Sequence, residues 1–183
     1  WHDDHLKRVG IDSIMIPATT LEQLQSLSLV QTRKDVTYTA KICTVDEYLA
    51  ICKEYNVFPV IELKWGIGLN NNDMTLFPAL YALIEKHGLV EEAIILTSMK
   101  QSLEYIRSNY PQLTCQWLRQ KVQDEEYTWC QDWGVDLSVA HTSVTEDVIA
   151  HSKQIKKDVA TWTVNDIADY ERVKELGCKY VTT

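Results

Sequence analysis

Six short apolar runs alternate with helix-like stretches from residue 57 to the end of the chain, and few folds accept such an order. The runs lie at 57–63, 93–97, 113–118, 135–139, 158–164 and 179–182. Helical spacing is read at 74–87, 100–109, 124–132, 145–154 and 167–176. Gly88, Gly134 and Gly177 close three of these helices, and Pro111 stops a fourth. A Gly/Asn-rich loop is expected at 66–73. After the first unit the pitch is roughly twenty residues, the signature of a parallel sheet with right-handed helical crossovers. Short units of even pitch favour a (β/α)8 TIM barrel over an open doubly wound sheet, which is the alternative. A closed barrel needs eight strands and six are legible here. The run from 57 to 183 is unbroken, so the remaining two are expected before Trp1. Residues 1–183 then read as a single barrel domain that is incomplete at its N-terminal side.

The first 44 residues are mixed. Leucines at helical spacing predict a short helix over 20–29, and 36–41 is an exposed segment without a firm assignment. Thr44 followed by Glu47 predicts a capping box for a helix that ends near Asn56, a residue tolerant of the left-handed conformation. Its apolar face is Val45, Tyr48, Leu49 and Cys52.

With 45% hydrophobic residues the chain can bury a sizeable core. Its 26 acidic residues against 18 basic ones argue against nucleic acid as a partner. No polybasic run or long apolar stretch predicts stable membrane insertion. Five cysteines, an odd number with no CxxC spacing, predict free thiols in a reducing, cytoplasmic setting. No GxGxxG or GxxxxGK[ST] follows any strand, which removes the usual nucleotide-binding folds.

The chemistry concentrates at residues 60–66. In a strand, Glu62 and Lys64 share one face, and Ile61 and Leu63 take the other. In a barrel both charges point into the lumen at the C-terminal rim, where the active sites of this architecture lie. A site that holds a cation and an anion together suits them, and a phosphate with a divalent metal is the commonest such pair. The bland alternative is a Glu/Lys pair on the wet face of a surface strand. The near-continuous apolar run at 58–63 argues instead for a strand covered on both sides. Other polar residues expected at strand ends are Thr97, Ser98, Gln116, Ser138, His141, Asn165 and Thr182, with Trp162 as an aromatic platform.

These motifs occur in a recognisable order. His2-Asp3, Thr44-Val45-Asp46-Glu47, Ile61-Glu62-Leu63-Lys64, Leu96-Thr97-Ser98, Trp162-Thr163-Val164-Asn165 and Tyr180-Val181-Thr182-Thr183 make the chain resemble glycerophosphodiester phosphodiesterases over nearly its whole length. The resemblance implies a (β/α)8 barrel that hydrolyses small glycerophosphodiesters to sn-glycerol 3-phosphate and an alcohol. It implies a divalent metal, Mg2+ or Ca2+, and two histidines. In the family a His-Arg-Gly motif and a Glu-x-Asp motif come earlier, and an Asp follows the final threonine; none of these occurs here. Carried over position by position, His2 is the second histidine and general acid, oriented by Asp3. Glu62 is a metal ligand, Lys64 neutralises the phosphate, and Trp162 walls the substrate pocket. Ser98, Gln116 and Asn165 are candidates for the same pocket. His141 has no expected role beyond a contact, and His87 and His151 are expected on solvated helix faces. The competing readings are a catalytically incomplete barrel or phosphate-binding module, and a related phospholipase-type phosphodiesterase. The acidic balance disfavours the last.

Overall fold

A computed structural model describes residues 2–64 and 73–183. Trp1, Trp65 and nearly all of the Gly/Asn-rich loop expected at 66–73 lie outside the described residues. In chain order the elements are β1 (His5–Leu6), β2 (Ile11–Met15), α1 (Leu21–Ser26), β3 (Leu29–Arg33), β4 (Val36–Ala40), α2 (Val45–Glu54) and β5 (Val60–Glu62). Then follow α3 (Phe77–Lys86), β6 (Ile94–Thr97), α4 (Lys100–Asn109), β7 (Thr114–Arg119) and α5 (Asp124–Trp133). The chain closes with β8 (Asp136–Ala140), α6 (Glu146–Gln154), β9 (Val159–Trp162), α7 (Ile167–Leu176) and β10 (Tyr180–Val181).

Strands β5 to β10 form one six-stranded sheet in sequential order, every pair parallel. This is the expected βα rhythm, realised as a curled half-barrel with β5 and β10 at its two edges. The register sorts the side chains into two faces. Glu62 lies opposite Leu96, and Leu96 opposite Gln116, while Leu118 faces Ser138 and Ser138 faces Ala160. This set faces the lumen. The alternate residues Ile95, Cys115, Trp117, Leu137, Val139 and Val159 enter the core beneath the helices, with Leu103, Ile106 and Ile149 from α4 and α6. Each such buried aliphatic side chain stabilises the fold by roughly 1.5–3 kcal/mol relative to leaving it exposed.

Local signals explain the helix limits. Thr44 Oγ1 accepts from Glu47 N at 3.1 Å, and Glu47 Oε2 accepts from Thr44 N at 2.7 Å, completing the capping box. The bonds that the Thr44 backbone N–H and then its hydroxyl donate to Glu47 Oε2 hold that carboxyl below its ordinary value. Asn56 takes a positive φ of 51° just past α2, as its side chain permits. Helix α3 starts at Phe77, later than expected, because Asp73 first accepts from Thr75 N at 2.9 Å in a local turn.

Two features depart from expectation. The segment 36–41 is mostly strand β4, paired antiparallel with β3 through a two-residue turn, Lys34-Asp35, with φ of 48° and 61°. All five β4 residues are exposed, so no buried face marks the strand in the sequence. His87 is not solvated: its Nε2 lies 2.6 Å from Asp46 Oδ1, and Lys86 Nζ lies 2.8 Å from both Asp46 oxygens. An acidic residue in the first turn of α2 is favoured by the helix dipole, and the end of α3 brings two basic groups onto it. His151 is exposed, and its ring packs 5.1 Å from that of Tyr127. Among the described residues no helix is long and apolar enough to cross a membrane.

Candidate active site

The C-terminal ends of the parallel strands surround a cavity of about 480 Å3. Strand β5 delivers Glu62 to it, and Lys64 follows two residues later on the same side. Leu96 from β6 and Leu118 from β7 form an apolar floor. Trp162, at the end of β9, makes one wall; its Nε1 donates to Ser138 O at 3.2 Å, which sets the plane of the indole. The peptide bond between Trp162 and Thr163 is cis. Ser98 and Thr182 add hydroxyls at the rim.

The N-terminal segment brings His2 to the same cavity. Lys64 Nζ lies 3.0 Å from His2 Nε2 and 3.3 Å from the His2 carbonyl oxygen. On the other side of the ring, His2 Nδ1 lies 2.7 Å from Asp3 Oδ1. Arg8 closes this chain of contacts by donating to both Asp3 oxygens, at 3.1 and 3.0 Å. An ammonium only donates, so Nε2 accepts from Lys64 and Nδ1–H donates to Asp3. The hydrogen bond from His2, helped by Arg8, holds the Asp3 carboxyl below its usual range against the opposing effect of desolvation. Asp3 is thereby a fixed anion that orients the imidazole, an arrangement common where a histidine must hold one tautomer.

Of the residues singled out from the sequence, His2, Glu62, Lys64, Ser98 and Trp162 meet at this cavity, with Asp3 behind His2. Gln116 does not line it. Its strand runs on to Arg119, so Leu118, two residues further along the same face, covers Gln116, which is 3% exposed. Ser138 is equally buried. Asn165 lies beyond β9, exposed and away from the lining. Thr97 belongs to the helix-facing set, and its Oγ1 donates to Leu63 O at 3.0 Å, tying β6 to the end of β5. His141 sits in the turn after β8, with Nδ1 3.5 Å from Asp169. Arg8 is a residue that sequence reasoning missed. It reaches Asp3 only because a 3-10 turn, Lys7–Val9, and Gly10 at φ 78° fold the chain back.

A divalent metal of the Mg2+ type is held by one or two carboxylates and completes its shell with waters and phosphate oxygens. Glu62 fits the part of one such carboxylate at the mouth of the cavity. Among the described residues no group of three or more His, Cys, Asp or Glu side chains is placed to hold a metal ion.

A sequence profile described as the glycerophosphoryl diester phosphodiesterase family matches residues 1–183. Comparison with curated protein sequences gave no match. Among solved structures, an Oleispira antarctica phosphodiesterase in complex with the product sn-glycerol-3-phosphate aligns at a TM-score of 0.79 and 15% identity, over 100% of this chain and 73% of that one. A glycerophosphodiester phosphodiesterase from Parabacteroides distasonis aligns at 0.77 and 18% identity, over 100% of this chain and 72% of that one. One from Thermotoga maritima aligns at 0.62 and 16% identity, over 100% and 74%. In another of these matches the chain spans 66% of its counterpart's length. At such identities the likeness establishes the fold, and each of these proteins extends beyond what this chain covers.

Proposed function

The chain belongs to the glycerophosphoryl diester phosphodiesterase family, and on that premise we propose that it hydrolyses small glycerophosphodiesters to sn-glycerol 3-phosphate and an alcohol. The observation that carries the reading is the convergence of His2, Glu62 and Lys64 on one cavity walled by Trp162. Residues 1–183 act in this proposal as one barrel domain.

The phosphate of the diester sits against the Lys64 ammonium, which exchanges its contact with His2 for one with a phosphoryl oxygen. His2, released at Nε2 and still held at Nδ1 by Asp3, is placed to take up a proton from solvent at Nε2. Attack on phosphorus by water, whose proton passes to the other histidine that the family resemblance implies, as base, forms a new P–O bond. Attack by the glycerol 2-hydroxyl instead gives a cyclic phosphate, which water then opens to sn-glycerol 3-phosphate with the same base and acid. The P–O bond to the alcohol breaks, and His2 passes its proton to the departing oxygen. Lys64 meets the negative charge that grows on the phosphoryl oxygens. Asp3 and Arg8 keep the ring in place. A divalent metal, Mg2+ or Ca2+, when bound would neutralise phosphoryl charge, with Glu62 supplying one oxygen ligand. Five free thiols support a reducing, cytoplasmic location as part of the proposal.

The test is to incubate the protein with glycerophosphocholine, glycerophosphoethanolamine and glycerophosphoglycerol, with Mg2+, Ca2+ or a chelator, and to measure sn-glycerol 3-phosphate. Its release with metal, and its loss on chelation, is the expected result. Phosphate binding without turnover of any diester would replace the enzyme by a phosphate-binding module.

A further inference from the structure

Beside the reaction cavity lies a second one of about 440 Å3, and the two share Ser98, Leu118 and Trp162 as walls. The rest of its lining comes from the end of β7 and the loop after it. Arg119 and Lys121 supply cations, and Gln120 and Gln123 supply amides. In a chain with 26 acidic residues, no carboxylate and no histidine is among the described residues that line this space. Arg119 is held in place: it pairs with Glu126 at 2.5 Å, and its guanidinium packs 4.7 Å from the Trp117 ring. Lys121 is exposed and has no ion pair among the described residues.

We propose that this second cavity receives the alcohol arm of the diester and selects alcohols that carry hydroxyls and no positive charge. The inference rests on the reading of the first cavity as the reaction site. A diester has two arms at phosphorus. With the phosphate at Lys64, an arm that passes over Trp162 enters the second cavity. With no carboxylate or histidine among its described lining residues, that space binds and does not react. Gln120 and Gln123 each offer a donor and an acceptor to hydroxyls, while Arg119 and Lys121 only donate. A quaternary ammonium is recognised by a cage of aromatic faces. Here it would meet one indole, already tied to Ser138, and the ammonium of Lys121, with Arg119 beside it paired to Glu126. A polyol finds partners on every polar wall.

The test compares kcat/KM for glycerophosphoinositol, glycerophosphoglycerol and glycerophosphocholine. The expected order puts both polyol diesters ahead of the choline diester by about tenfold or more, the scale on which one binding pocket discriminates. Lys121→Glu, an exposed loop substitution, should shift the polyol-to-choline ratio towards choline by about tenfold, because it replaces a repelling charge by an attracting one. Lys121→Gln should move it part of the way. Hydrolysis of all three diesters at equal efficiency, a preference for choline, or a ratio unchanged in Lys121→Glu would overturn the headgroup assignment and leave the phosphodiesterase reading standing. No hydrolysis of any of them would overturn both.

Discussion

Lys64→Met removes one charge from the proposed site and keeps much of the side chain's length. The Lys64 ammonium is held 3.0 Å from His2 Nε2 and 3.3 Å from the His2 carbonyl oxygen, so it faces the cavity from a fixed position. A phosphoryl oxygen taking up one of its hydrogen bonds brings the growing charge to within about 4 Å, where a unit pair interacts with about 1 kcal/mol in water and about 4 kcal/mol near a protein surface. Lys64 is exposed at the rim, which puts the working value between these limits, at about 2–3 kcal/mol. That corresponds to a loss on the order of 100-fold, in line with removal of one preorganised electrostatic group. The charge grows on the way to the transition state, so kcat should fall more than KM rises. Steady-state release of sn-glycerol 3-phosphate across a substrate range measures both. Added metal should not restore the variant, because the missing charge acts on the phosphate. Rates within about fivefold of the parent, the limit set by the interaction in bulk water, would refute the argument.

Glu62→Gln should raise the metal concentration needed for half-maximal activity, and excess metal should restore part of the rate; a metal titration curve that superimposes on the parent's would remove the ligand role. Asp46 is held below its ordinary 3.8 first by Lys86 and then by His87, so its clasp between α2 and α3 stabilises the fold above that value and is lost as pH falls through the folded one. The urea midpoint of the parent should therefore drop more than that of Asp46→Asn between about pH 6 and about pH 3, and parallel losses in the two proteins would contradict the clasp. Burial pushes the Cys115 and Cys130 thiols up to about 12, whereas Cys43 is exposed. A thiol-reactive probe on the native protein should label Cys43 first and reach Cys115 and Cys130 only on unfolding; rapid native labelling that survives in the double variant Cys43→Ser, Cys178→Ser would contradict this.

The parallel half of the fold was legible because each unit carries its own punctuation. Thr44 with Glu47 starts a helix, Gly134 and Gly177 end two others in the left-handed conformation, and apolar runs between them mark the strands. The β3–β4 hairpin was not legible. Its residues are almost all solvated on both faces, so no alternation betrays them, and its turn uses Lys34-Asp35 where Asn-Gly or Asp-Gly would signal a hairpin. Glu62 and Lys64 could be placed by strand period alone. His2 gained significance only through the family resemblance, since nothing local distinguishes it from a loop histidine. Gln116 is misplaced as a strand-end residue, because its own apolar run already extends to 118; Leu118, two residues on along the same face, lies between it and the rim, and Gln116 is buried. Arg8 and the pair His87–Asp46 are contacts made by tertiary folding, with no spacing rule to announce them.

A crystal structure of the protein with sn-glycerol 3-phosphate tests the central claim most directly. The account predicts the phosphate inside the cavity at the C-terminal ends of the strands, within hydrogen-bond reach of Lys64 Nζ and His2 Nε2, with the glycerol against Trp162. A phosphate bound elsewhere on the molecule, with His2 and Lys64 still in contact with each other, would contradict it.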